Sequence, residues 1–146
     1  MPSASSAHDA WNRPIAGLIA RQPPVPYSLV RLYRIEPKQR TARPEWLSEM
    51  LVANGSSFAE NRWFTDDPKT LAPYAALVAA LSTPVLSLLD VRATEVEAFR
   101  ADRCTTMLVG LTPKAFARHP EHDFFLPERL ARQRERVGEV PLPMGR

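Results

Sequence analysis

Three groups of residues could do chemistry together: an arginine closing an apolar run, an aromatic pair leading into a hydroxyl, and an acid opening a late apolar run. Arg34 ends the stretch Leu32-Tyr33-Arg34. A strand-end guanidinium offers a planar fork of donors to a diphosphate or a ribose, which lysine cannot match. The same arginine serves equally well in a surface ion pair with Glu36, an arrangement worth little. Trp63, Phe64 and Thr65 run into Asp66-Asp67-Pro68. Aromatic faces beside a hydroxyl and the free N–H groups of a helix start can stack a flat ring and bond its amide. Two core aromatics and an ordinary capping turn fit those residues too. Tyr74 either closes the same pocket or packs beneath it. Asp123 opens Asp123-Phe124-Phe125-Leu126-Pro127. A carboxylate there can hold a sugar hydroxyl and stabilise positive charge developing at an anomeric carbon. Glu121 shares that face if the strand extends so far, and a solvated loop acid is the alternative for either residue.

Other chemistries lack support. None of the five glycines forms G-x-G-x-x-G or a phosphate-cradling G-x-x-x-x-G-K loop, and there is no G-x-S-x-G. His119 and His122 stand near Glu121 and Asp123, but Pro120 breaks a helix there and solvated loop imidazoles are the simpler account. No metal is expected.

The elements that must position these residues are short. Fifteen prolines against five glycines, spread along 146 residues, punctuate many small pieces. Residues 1–26 form an arm, with an amphipathic piece around Ile15 to Ile19 and then Pro23-Pro24-Val25-Pro26 running extended; residues 27–146 form the domain. Ser28 to Ile35 reads as a strand, Pro44 to Leu51 as a helix ending before Gly55, and Phe58 to Thr65 as a returning strand. Asp66 or Asp67 caps a helix beginning at Pro68. Pro73 lies too deep for that helix, which predicts a kink or two abutting turns, the second carrying Tyr74 to Leu81. Pro84 to Val91 is the clearest buried strand. Thr94-Glu95-Val96-Glu97 fits a capping box opening a helix to about Ala101. Thr105 to Leu111 and Asp123 to Leu126 read as further strands, and Pro127 starts a basic helix through Val137. The order is α+β, too irregular for a doubly wound sheet.

In order and composition, Leu-Tyr-Arg, then Arg62-Trp-Phe-Thr-Asp-Asp with Ala72 and Tyr74-Ala75, then Asp-Phe-Phe-Leu-Pro resemble small bacterial ADP-ribosyltransferase domains of the toxin or effector type. The resemblance spans about Ser28 to Val137. It implies a split pair of small antiparallel sheets with short peripheral helices and a cleft between them. It implies NAD as co-substrate, bound by Arg34, Tyr33, Trp63, Phe64, Thr65 and Tyr74, with Asp123 or its rival Glu121 as the late acid. The family usually carries glutamate there, and often a small residue where Ile35 follows Arg34. Glu95-Val96-Glu97 is similar to the paired glutamates of arginine-modifying members, but no Ser-Thr-Ser strand precedes it. The implied reaction breaks the nicotinamide–ribose bond and passes ADP-ribose to a macromolecular acceptor, protein or nucleic acid. With water as acceptor the same site is an NAD glycohydrolase. An antitoxin or immunity partner is compatible with that setting. A rival reading is a non-catalytic module using Arg129, Arg132, Arg134 and Arg136 on the last helix against an acidic partner.

Bulk properties fit either reading. Hydrophobic residues make up 45% and charged residues 24%, an ordinary globular balance in a chain long enough for one core. A net charge of +3, from 19 basic and 16 acidic residues, suits an anionic ligand but does not by itself argue for nucleic acid. The single cysteine excludes a disulfide framework and fits a reducing cytoplasm. No basic n-region or long apolar run predicts a secretory signal or membrane span. The expected setting is therefore cytoplasmic, and delivery into another cell by a dedicated machine stays compatible with it.

Overall fold

The computed structural model describes residues 8–38, 62–107 and 110–143. The predicted helix over 44–51 and the first part of the strand predicted over 58–65 lie outside them. Five strands form one antiparallel sheet in the order β4-β2-β1-β3-β5: β1 (Val30–Pro37), β2 (Trp63–Thr65), β3 (Pro84–Val91), β4 (Asp123–Phe125) and β5 (Glu135–Glu139). Its short helices are α1 (Asn12–Ala20), α2 (Ala72–Ala79), α3 (Ala93–Val96) and α4 (Glu128–Ala131). The class is α+β, as the sequence predicts.

The sheet is not uniform. β1 pairs with β3 from Val30↔Val91 to Pro37↔Pro84, with Arg31 and Asp90 bridged by two hydrogen bonds of 2.7 and 2.9 Å across that register. Between β1 and β2 the register is the single pair Tyr33↔Thr65. Instead of two separate sheets, the described residues form one sheet with a thin seam. A three-residue β2 is too short to keep pace with an eight-residue β1.

Alternation along the strands gives each face its own core. One face carries Ile35, Leu86 and Leu88 against Leu71, Ala72, Ala75 and Val78 of the α2 region, and against Trp11 and Ile15 of the N-terminal segment. Trp11 to Ile19 of the predicted arm thus pack into the core, because α1 turns Ile15 inward. The other face packs Leu32, Phe64, Leu89 and Val91 against Phe124, Leu126, Val96 and Leu130.

Local signals explain several boundaries. The Asp67 side chain accepts from the Lys69 N–H at 3.0 Å and caps a 3₁₀ turn over Pro68–Thr70. Pro73 then falls in the first turn of α2, where its missing N–H costs nothing. Two abutting helical pieces result, as the sequence predicts. Other elements differ from expectation. The helix near Thr94 begins two residues earlier: Arg92 is its N-cap, and Glu95 accepts the Arg92 N–H at 3.2 Å. Thr105 to Met107 are not strand, and Gly110 takes a left-handed φ of 82° in a turn. The basic helix stops at Ala131, and Arg134 to Val137 do not continue it. Residues 135–139 form β5, which pairs with β3 through Val85↔Glu139, Leu86↔Gly138, Ser87↔Arg136 and Leu88↔Glu135. That pairing is non-local and outweighs a local pattern that suits either state. Among the described residues no helix is long and apolar enough to cross a membrane.

Candidate functional site

Directly opposed residues in an antiparallel pair share a face. Tyr33↔Thr65 and Thr65↔Asp123 therefore set Tyr33, Thr65 and Asp123 in a row across β1, β2 and β4. Trp63↔Phe125 forms the next row on the same face, with ring centroids 5.1 Å apart at 55°. The Arg62 guanidinium lies 4.1 Å from the Phe125 centroid, and its Nε donates to the Leu126 carbonyl at 2.6 Å. Tyr74, on α2, packs against the core of this face. Burial pushes its phenol pKa up; the Asp123 charge adds to that, while Arg118 and Arg34 oppose it. The phenol thus lies in the electric field of all three.

Asp123 is 4% exposed. Its Oδ2 accepts the His119 N–H at 3.0 Å, and its own N–H donates to the His119 carbonyl at 2.8 Å. Burial raises the carboxyl above the usual aspartate value, and the His119 N–H opposes the rise. Thr65 serves its own neighbourhood. Its Oγ1 accepts the Asp67 N–H and the Thr70 hydroxyl, each at 3.1 Å, and so shapes the turn into the Pro68 helix start. Beside it, the His122 Nδ1 and Asp66 Oδ1 stand 2.8 Å apart, and the Asp66 N–H donates to the His122 carbonyl at 3.1 Å. The Asp66 hydrogen bond raises the His122 pKa above its ordinary value.

Arg34 lies in the seam where β1 and β2 part. It is 3% exposed, and its Nη1 donates to the Trp63 carbonyl at 3.1 Å, an oxygen the truncated ladder would otherwise leave without that bond. Its Nε is 3.4 Å from Glu36 Oε1. The Arg34–Glu36 pair is real but buried, not superficial. Glu36, fully buried, also accepts from Ser87 Oγ at 2.8 Å and from Arg134 at 2.6 and 3.0 Å, with Arg136 at 3.2 Å. Burial alone would raise its carboxyl, yet the Arg134 hydrogen bonds, the Arg34 charge and the Ser87 hydroxyl together hold it below the usual glutamate value.

The structure therefore brings Tyr33, Thr65, Asp123, Trp63 and Tyr74 to one face, whereas Arg34, next to Tyr33 and opposite Ser87, alternates to the other face with Glu36 and reaches into the seam to the Trp63 carbonyl. It does not bring Phe64 or Glu121 there. Phe64 alternates to the opposite face, opposite Phe124 and inside the other core, where no ligand ring can reach it. Glu121 is exposed in the turn before β4, so the shared-face argument for it fails: the strand begins at Asp123, and the His122 N–H closes the turn onto the His119 carbonyl at 2.8 Å. Arg136 on β5 and Arg134 just before it are taken up by Glu36 of β1, which dissolves the expected basic helical face. Sequence reasoning missed Phe125 and Arg118. Period-two spacing from Asp123 identifies Phe125; Arg118 has no such signal.

Among the described residues no three His, Cys, Asp or Glu side chains stand as a metal-holding group. No protein-family model matches the chain, and neither a curated protein nor a solved structure matches it.

Proposed function

We propose that the chain is an NAD-dependent mono-ADP-ribosyltransferase of the toxin or effector type, with an ADP-ribosyltransferase-like fold. The observation that carries this reading is the row Tyr33–Thr65–Asp123 on one face, with the buried Arg34 bonded to the Trp63 carbonyl from the other. Arginine, aromatic-hydroxyl segment and late acid come from three separated parts of the chain, yet meet on adjacent strands. A sheet that nearly parts between β1 and β2 is also consistent with a fold whose two sheets are split.

In this reading Trp63 and Tyr74 confine the nicotinamide ring, and Asp123 faces the ribose. The nicotinamide–ribose C–N bond breaks with its electron pair leaving on nicotinamide, so the pyridinium becomes neutral. The oxocarbenium-like ribose is stabilised by the ionised Asp123 carboxylate. An acceptor nucleophile then forms the new bond to the anomeric carbon and loses its proton. Arg34 holds the Trp63 backbone in place, so its effect on catalysis is positional.

The test is nicotinamide release from NAD by purified protein, alone and with cell lysate as acceptor, beside Asp123→Asn and Trp63→Ala. Release by the wild type that Asp123→Asn abolishes supports the reading. No release and no NAD binding under either condition overturns it.

A further inference from the structure

A ligand carrying a diphosphate needs an accessible cation beside the ring and sugar sites, and Arg34 does not meet that need. It is 3% exposed, bonded to the Trp63 carbonyl and paired with Glu36. Arg118 is different. It keeps part of its surface open to solvent, and its guanidinium lies 5.7 Å from the centroid of the Tyr74 ring. The next residue, His119, gives its N–H to the Asp123 carboxylate, so Arg118 directly precedes a residue whose backbone is tied to the acid. An aromatic face holds a guanidinium in place while leaving its in-plane N–H donors open to an anion.

We infer that Arg118 binds the diphosphate of the dinucleotide, with Tyr74 as the platform that orients it. The inference rests on the reading of the site as NAD-dependent. It separates two roles that one arginine would otherwise share: Arg34 positions backbone within the seam, and Arg118 meets the ligand. Both electrostatic demands of the reaction are then met from one short segment, a cation for the phosphates at Arg118 and an anion for the ribose at Asp123.

Steady-state kinetics of nicotinamide release, with ADP, adenosine and nicotinamide as inhibitors, tests this. Losing a charge-assisted contact predicts that Arg118→Ala raises KM for NAD and Ki for ADP about tenfold or more, with kcat nearly unchanged. Inhibition by adenosine and by nicotinamide stays as in the wild type, and Arg118→Lys recovers part of the loss. Unchanged KM and ADP inhibition overturn the inference while leaving the reaction standing. An equal loss for nicotinamide also overturns it, because the variant has then disturbed the whole face. If the wild type releases no nicotinamide, calorimetry with ADP-ribose decides. Binding that Arg118→Ala weakens sustains the diphosphate site without the transferase, and no binding by the wild type overturns both.

Discussion

Tyr33 stands directly opposite Thr65, and that pair is the whole register joining β1 to β2 among the described residues. On its other edge β1 is paired along its full length with β3. The two sides of the same strand therefore differ in how readily they open. Native-state hydrogen exchange should find the amides of Phe64 and Thr65 less protected than those of Leu86 to Leu89. Equal protection across the two edges would mean that the Arg34 bridge closes the seam as firmly as a ladder.

Asp123 sits where it costs stability. Its carboxyl is raised above the ordinary aspartate value chiefly by burial, so the folded chain holds that proton more tightly than the unfolded chain. Stability from this group is thus greatest at low pH and falls as pH rises through the folded value. At neutral pH Asp123→Asn should melt no lower than the wild type, and higher if the asparagine keeps the His119 N–H bond. Nicotinamide release should vanish in the same variant, and in the wild type should rise with pH as the carboxyl ionises, at a midpoint above that of a free aspartate. Thermal melts and a pH–rate profile check the two halves separately.

Glu36 carries the opposite sign. Its carboxyl is held below the ordinary glutamate value in spite of burial, so its stabilisation is present above the unfolded value and is lost as pH falls through the folded one. Removing it leaves Arg34 and Arg134 buried without this carboxylate. Glu36→Ala should cost about 3–5 kcal/mol, the range for breaking a buried pair, measured by urea unfolding. Because Arg34 spans the seam through the Trp63 carbonyl, the variant should also red-shift or broaden Trp63 fluorescence relative to the wild type.

His122 reports on the rim of the site. Its pKa is raised by Asp66, so their interaction is fully present below the unfolded histidine value and fades as pH rises through the higher folded one. The pair is exposed and salt-screened, so its worth is small, under about 1 kcal/mol. An NMR titration of the His122 ring should give a midpoint above the ordinary histidine value in the wild type and a lower one in Asp66→Asn. An unchanged midpoint in that variant would assign the shift elsewhere.

Ile15 is a core residue in a segment that composition marks as an arm. It packs with Trp11, Leu71 and Ala75 beneath the sheet. Ile15→Ala should cost about 2–5 kcal/mol, as for other buried aliphatic truncations. Denaturant unfolding measures it, and a loss below about 0.5 kcal/mol would show that α1 is only loosely docked.

Legibility in the sequence follows the range of the forces involved. β3 is readable to the residue because Pro84 opens a run that is apolar but for Ser87 and Asp90. The Asp67 cap and the break at Pro73 are readable because they depend on side chains a few residues apart. β5 is not: Arg134-Glu135-Arg136-Val137 satisfies a helical charge pattern, and only Glu36 and Ser87, distant in sequence, turn it into a strand. The same distance hides the burial of Arg34–Glu36, since nothing local says that β3 and β5 cover it. Phe64 is another matter. Strand alternation alone separates it from Trp63 and Thr65, so its exclusion from the site is available in the residues themselves. Arg118 is invisible because its place depends on a turn fixed by Asp123.

The clamp on Glu36 has a temporal side. Arg134 lies 98 residues after the carboxylate it holds. At about 5–20 residues per second of synthesis, a nascent chain carries β1 for about 5–20 s before that cation exists. Through that interval Glu36 has Arg34 beside it but lacks the two Arg134 hydrogen bonds, so the pairing of its carboxylate is completed only when β5 arrives. Among the described strands, the one synthesised latest thus completes the charge pairing of the one synthesised earliest.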